Sequence, residues 1–175
     1  MQPTAIKRLQ NILQGNGTKI TRETISSYLD YTNESYLTFG ISCFTDSISD
    51  RETIKKHYFY DNGILNLFLF QPETKLLENM VAIYLYKRYG EDLYYYNKNV
   101  EVDFCVPKEG LLVQVSYRML DDTTKNREVG ALQKVAKFLK AKKCMIITYD
   151  QEETITLKDL EIDVEVVPIY KYLLD

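Results

Sequence analysis

Tryptophan is absent from this 175-residue chain, histidine occurs once, and the three cysteines, Cys43, Cys105 and Cys144, form no CxxC pair. A single histidine, His57, with no cysteine beside it builds neither a zinc site nor a Ser-His-Asp triad. An odd number of cysteines, two of them inside apolar runs, argues against a disulfide framework, so a reducing, cytoplasmic compartment is expected. The four prolines, at 3, 72, 107 and 168, are scattered, which excludes a proline-rich linker. Apolar runs are broken within about ten residues and the start MQPTAIKRLQ lacks a hydrophobic core, so no spanning helix, secretory signal or membrane partner is expected. The chain also lacks G-x-x-x-x-G-K-[ST]. Gly15-Asn16-Gly17-Thr18-Lys19 follows a helical pattern and reads as a turn, leaving no nucleotide site. Positive charge is in deficit, with a net charge of -3, so the whole-chain field repels nucleic acid and any binding must come from a local patch.

An apolar fraction of 45% supports a real core, and 15 tyrosines suit half-buried positions in sheets and helices. Ile6, Leu9, Ile12 and Leu13 recur at helical spacing until the glycines at 15 and 17. Thr21 opens a second amphipathic run through Ile25, Tyr28 and Leu29. Residues 36–44 read as a strand, 45–56 as a polar loop and 57–60 as a returning strand. That order fits a winged helix, and equally a small α+β adapter. Beyond Asp61-Asn62-Gly63 the pattern becomes α/β, with a helix over 73–88, strands over 93–97, 100–106 and 111–117, and a helix over 127–142. Strands over 144–149 and 164–169 complete it. The fold class is therefore α/β, a mixed sheet flanked by helices, and the division expected is 1–60 and 61–175.

The chemistry concentrates on two strands and a helix. In VEVDFCV, Val100, Val102, Phe104 and Val106 alternate with Glu101, Asp103 and Cys105, which predicts that Glu101 and Asp103 leave the strand on one face. On the next strand Gln114 and Ser116 lie opposite the apolar set Leu111, Val113, Val115 and Tyr117. Glu78 sits in a helix that is apolar nearly all round, where a carboxylate needs a partner. Oxygen donors grouped this way suit Mg²⁺. The alternative is an ion pair between Glu78 and a basic residue of the same sheet, with Glu101 and Asp103 on a solvated face.

The ordered set HYFYDNGILNLFL, LLENMVAIYLYKR, EVDF, LLVQVSY, TKNRE-x-x-AL, MIITYD and VVPIYKYLL resembles the C-terminal domain of bacterial and archaeal AAA-type ATPases. That domain is related to the restriction-endonuclease-like, PD-(D/E)xK superfamily. The likeness covers about residues 57 to 174, and TRETISSYLDYTNESYLTF is similar to the winged-helix segment that precedes it in those proteins. The resemblance implies a restriction-endonuclease-like fold after an N-terminal winged-helix-like segment, an ATPase domain in the same polypeptide, and DNA as a partner. It maps the helix acid to Glu78, the metal-binding aspartate to Asp103 and the (D/E)xK motif to Gln114-Val115-Ser116, with Mg²⁺ held by Glu78, Asp103 and Gln114. Gln114 offers a carbonyl without charge, and Ser116 cannot supply the motif's cation, which would come instead from Lys125 or Arg127.

From Lys125 to Lys143 seven basic residues face one glutamate. Arg127, Lys134 and Lys137 fall within about 80° of one another on the helical wheel, away from the apolar stripe. Lys134 and Lys137 are the candidate phosphate contacts; a basic helix face is also what a solvated surface looks like. Three functions stay open: a Mg²⁺-dependent nuclease using Glu78, Asp103, Gln114, Ser116 and Arg127, a nucleic-acid-binding module without the chemistry, and a protein-interaction or regulatory module of the ATPase.

Overall fold

The computed structural model describes residues 4–45, 54–157, 160 and 162–174. Among them nine strands form one mixed sheet in the order β1-β3-β2-β4-β5-β6-β7-β9-β8. The strands are β1 (Thr4–Ala5), β2 (Thr38–Cys43), β3 (Ile54–Phe59), β4 (Tyr94–Asn97), β5 (Glu101–Val106), β6 (Leu111–Val115), β7 (Lys143–Thr148), β8 (Glu153–Leu157) and β9 (Ile162–Pro168). The helices are α1 (Ile6–Gly15), α2 (Arg22–Glu34), α3 (Asn62–Asn66), α4 (Glu73–Tyr89), α5 (Asp122–Leu139) and α6 (Ile169–Tyr172). The chain is thus a mixed α/β protein, and among its described residues no helix is long and apolar enough to cross a membrane.

Each face of the sheet buries its own core. On one, Val81, Ala82 and Leu85 of α4 are fully buried against Ile41, Tyr58, Phe104, Val113 and Ile147. On the other, Leu132, Val135 and Ala136 of α5 pack on Val102, Cys105, Leu112, Ile146 and Val166. Each buried aliphatic side chain contributes about 1.5–3 kcal/mol, so the two helices are held mainly by these stripes. The three cysteines are free and buried, and burial pushes the Cys144 thiol up to about 11. They act as small hydrophobes.

The strand expected over 57–60 begins three residues earlier, at Ile54. The loop expected over 45–56 lies largely outside the described residues. β2 and β3 pair antiparallel, and β2 then pairs parallel with β4. The hairpin is therefore continuous with the α/β sheet, and Phe39, Ile41, Cys43 and Tyr58 share a core with α4. The expected division at residue 60 does not separate two cores.

α5 starts at Asp122, earlier than the expected 127, because Asp121 caps it. The Asp121 carboxylate accepts from the Thr124 N–H at 2.7 Å and the Thr124 hydroxyl at 2.9 Å, and these bonds hold its pKa below the ordinary aspartate value. β8 emerges from an acidic stretch whose pattern carried no strand signal.

Candidate functional site

The site begins with how α4 is fixed to β3. Asn79 is completely buried, and its amide makes paired bonds with the backbone of Phe59, accepting from the N–H and donating to the C=O at 2.9 Å each. It thereby occupies the place of a neighbouring strand. A further bond at 2.8 Å runs from Asn79 to Asn62. The adjacent Glu78 is consequently held over β3, where the Tyr58 hydroxyl donates to its Oε1 at 2.8 Å.

β5 departs from the expected alternation. Tyr94 and Tyr96 of β4 pair with Cys105 and Val102, so three residues of β5 span what two span on β4. One extra residue makes a β-bulge, which re-aims side chains locally. Val102 and Cys105 accordingly enter the α5 core, whereas Phe104 and Val106 enter the α4 core. The expectation that Val102, Phe104 and Val106 share one face is corrected by this bulge. Asp103 lies within it, and its Oδ2 accepts the Val115 N–H at 3.0 Å, replacing a strand-to-strand bond with a side-chain one.

Lys56 of β3 stands in the midst of the acids, fully buried at 0% exposure. Its Nζ lies 2.7 Å from Glu101, 3.1 Å from Asp103 and 3.7 Å from Glu78, and 5.5 Å from the centre of the Tyr95 ring. Burial works against its charge, but Asp103, Glu78 and Glu101 outweigh that and raise its pKa above the ordinary lysine value. Glu78 is also raised, by burial first and then by the Asp103 carboxylate. The two shifts are compatible because Glu78 is the acid farthest from the ammonium, and the cluster carries three carboxylates for one lysine. Tyr58, buried beside the same acids, has its hydroxyl pKa raised by burial and by Glu78.

On the α5 side, Gln114 bridges two partners. Its Oε1 accepts the Asp103 N–H at 3.1 Å, and its Nε2 donates to Glu128 at 2.6 Å. Glu128 is only 5% exposed, and Arg127 grips its other oxygen at 2.5 Å. Arg127 thus pairs with its sequence neighbour and with neither Glu78 nor Asp103. Lys125 is taken by Glu153 at 2.5 Å.

A cleft of about 760 Å³ is lined by Glu78, Glu101, Asp103, Gln114, Arg127 and Lys134, together with Glu128. Five of the expected site residues therefore converge. Ser116 does not line it: it is buried, and its hydroxyl donates to the Arg118 carbonyl at 3.4 Å. Lys137 is exposed on α5 outside the cleft lining. His57 lies within β3 instead of at its start, and its Nδ1 has no partner among the described residues.

The donor set does not fit Mg²⁺, which needs oxygens about 2.1 Å away in near-octahedral array. Asp103 spends one oxygen on Lys56 and the other on a backbone N–H, Glu78 accepts from Tyr58, and Gln114 accepts from Asp103. Among the described residues no group of three His, Cys, Asp or Glu side chains could hold a metal ion. The ammonium of Lys56 stands among Glu78, Glu101 and Asp103.

The sequence reading passed over Lys56 and Glu128. Extending the β3 alternation two residues back from Tyr58 puts Lys56 on the inward face, a signal masked by the polar run before it. Glu128 precedes Leu132 and Val135 by four and seven residues, on the same buried stripe.

No family model and no solved structure match the chain. An uncharacterized protein of Methanocaldococcus jannaschii, MJ1544, is 39% identical over 184 residues, an overlap that takes in 97% of this chain and 40% of the relative. The chain spans two fifths of that protein's length, and the likeness establishes a relationship without an activity.

Proposed function

We propose that this chain is the C-terminal module of an AAA-type ATPase, restriction-endonuclease-like in fold, that binds nucleic acid and does not cut it. The observation that carries the reading is the exchange at the acid cluster. Glu78 and Asp103 meet beside Gln114, as the resemblance to the nuclease superfamily implies, but around the Lys56 ammonium. A nuclease of this kind needs a metal to polarise the phosphodiester and to lower the pKa of the attacking water; an ammonium locked among three carboxylates supplies neither. Its charge is already neutralised by Asp103, Glu101 and Glu78.

Binding has separate support. Lys134 edges the cleft, and Lys134 and Lys137 carry no ion pair among the described residues, whereas Lys125, Arg127 and Lys143 are neutralised by Glu153, Glu128 and Glu165. Their charge remains available to phosphate. The element order α4, β4, β5, β6, α5, β7 agrees with the nuclease-like reading, and a relative two and a half times the length of the match has room for an ATPase.

A titration of labelled DNA at low and moderate salt, with and without Mg²⁺, tests this. Weak, salt-steep binding is expected with no cleavage, and Lys134→Ala with Lys137→Ala should flatten the salt slope by about two contacts. Mg²⁺-dependent cleavage lost in Asp103→Ala refutes the non-cleaving reading. No binding at low salt favours a protein-interaction or regulatory module instead, a reading supported by Leu67, Phe68 and Phe70, which stand exposed in sequence after α3.

A further inference from the structure

Phe138 is 59% exposed near the end of α5, on a helix whose other large apolar side chains are turned inward. Its ring is not loose. The Tyr96 ring lies against it, with centroids 6.1 Å apart at 53°, and Lys98 Nζ stands 5.6 Å from its centre. Lys134 is one helical turn earlier on the same side, and Lys137 immediately precedes it. A supported aromatic face bordered by ammonium groups is the pairing a nucleotide requires, base on ring and phosphate on lysine. The surrounding field is local, since the chain as a whole is acidic.

We infer that Phe138 is a stacking platform for an unpaired base, which makes single-stranded nucleic acid the ligand of this module. The inference rests on the proposed nucleic-acid binding and narrows it. In a duplex each base already stacks on its neighbours and offers no face to a ring on a helix surface; only a strand free of its complement can lay a base on Phe138. Lys134 and Lys137 then flank the base where successive phosphates pass. The same lysines without the ring would read the backbone of either form alike.

Fluorescence anisotropy with a labelled oligothymidine, a duplex of equal length and an oligomer carrying abasic sites decides the matter. The full chain should bind the single strand more tightly than the duplex and lose affinity for the abasic strand. Phe138→Ala should weaken single-strand binding about tenfold, a stacking-sized effect, and leave duplex binding unchanged. Phe138→Tyr, which keeps the ring, should restore it. Unfolding midpoints of both variants near that of the native chain confirm that the fold is intact. Lysine-dependent binding that is indifferent to Phe138→Ala overturns the stacking role while the nucleic-acid reading stands. No binding of any strand at low salt overturns both.

Discussion

Replacing Lys56 by methionine keeps most of the buried volume and removes the ammonium that Glu101, Asp103 and Glu78 surround. Glu78 and Asp103, whose side chains are 11% and 13% exposed, would then face each other and Glu101 without it. Breaking a buried ion pair from one side costs about 3–5 kcal/mol, because a desolvated charge is left uncompensated. For a domain of this size each kcal/mol moves the unfolding midpoint by about 2–4 °C, so Lys56→Met should melt about 6–20 °C lower. Adding Glu78→Gln and Asp103→Asn to the same chain should recover most of that loss, since the one carboxylate left, Glu101, is 43% exposed and is solvated by water. Divalent ions give an independent reading. Because no group of three His, Cys, Asp or Glu side chains among the described residues could hold a metal ion, Mg²⁺ should leave the unfolding of Lys56→Met and of the native chain alike unmoved. Urea and thermal unfolding with and without Mg²⁺ measure all of these. A Lys56→Met chain within about 1 kcal/mol of the native one, far short of a broken buried pair, would refute the reasoning, as would a Mg²⁺ shift in either chain.

The pH dependence should carry two signatures with assignable signs. Lys56 is raised above its unfolded 10.5, so its contribution is complete below that pH and is lost as pH rises through the folded value; Lys56→Met should lack this alkaline fall. Glu78 is raised above 4.5, so the folded state holds its proton longer and stability declines as pH rises from there through the folded value; Glu78→Gln should flatten that segment in acid-range unfolding curves. Asn79→Ala should cost about 2–4 kcal/mol by stranding the Phe59 N–H and C=O, measurable as a lower urea midpoint; an unchanged midpoint means that α4 is docked by its apolar stripe alone. Gly110 has φ 65° in the β5–β6 turn, and a Cβ there would stand 3.1 Å from the Lys142 nitrogen, so Gly110→Ala should cost about 1–3 kcal/mol by the same measurement.

Periodicity by itself determined the two long helices, the run of strands between and after them, and the acids Glu78 and Asp103. Those features depend on local spacing: Leu132 and Val135 can only bury together on a helix, and Cys144 to Thr148 only between covered faces. The helix cap at Asp121 is equally local, in the Asp-Asp-Thr-Thr that precedes the basic run, although periodicity placed the helix start only at 127. Tertiary structure alone decided what the acids are for. A single extra residue in β5 carries Phe104 and Val106 to the face of Glu101 and Asp103 and away from that of Val102, and no pattern of apolar residues distinguishes VEVDFCV with a bulge from the same strand without one. The partner of the carboxylates comes from β3, 22 residues before Glu78 and 47 before Asp103. Lys56 reaches them because β2 carries the hairpin onto the edge of β4, a pairing between distant segments that the sequence does not spell out. A lysine in a polar stretch reads as solvated until the fold removes the water around it, and the fold then makes it the cation at the centre of the site.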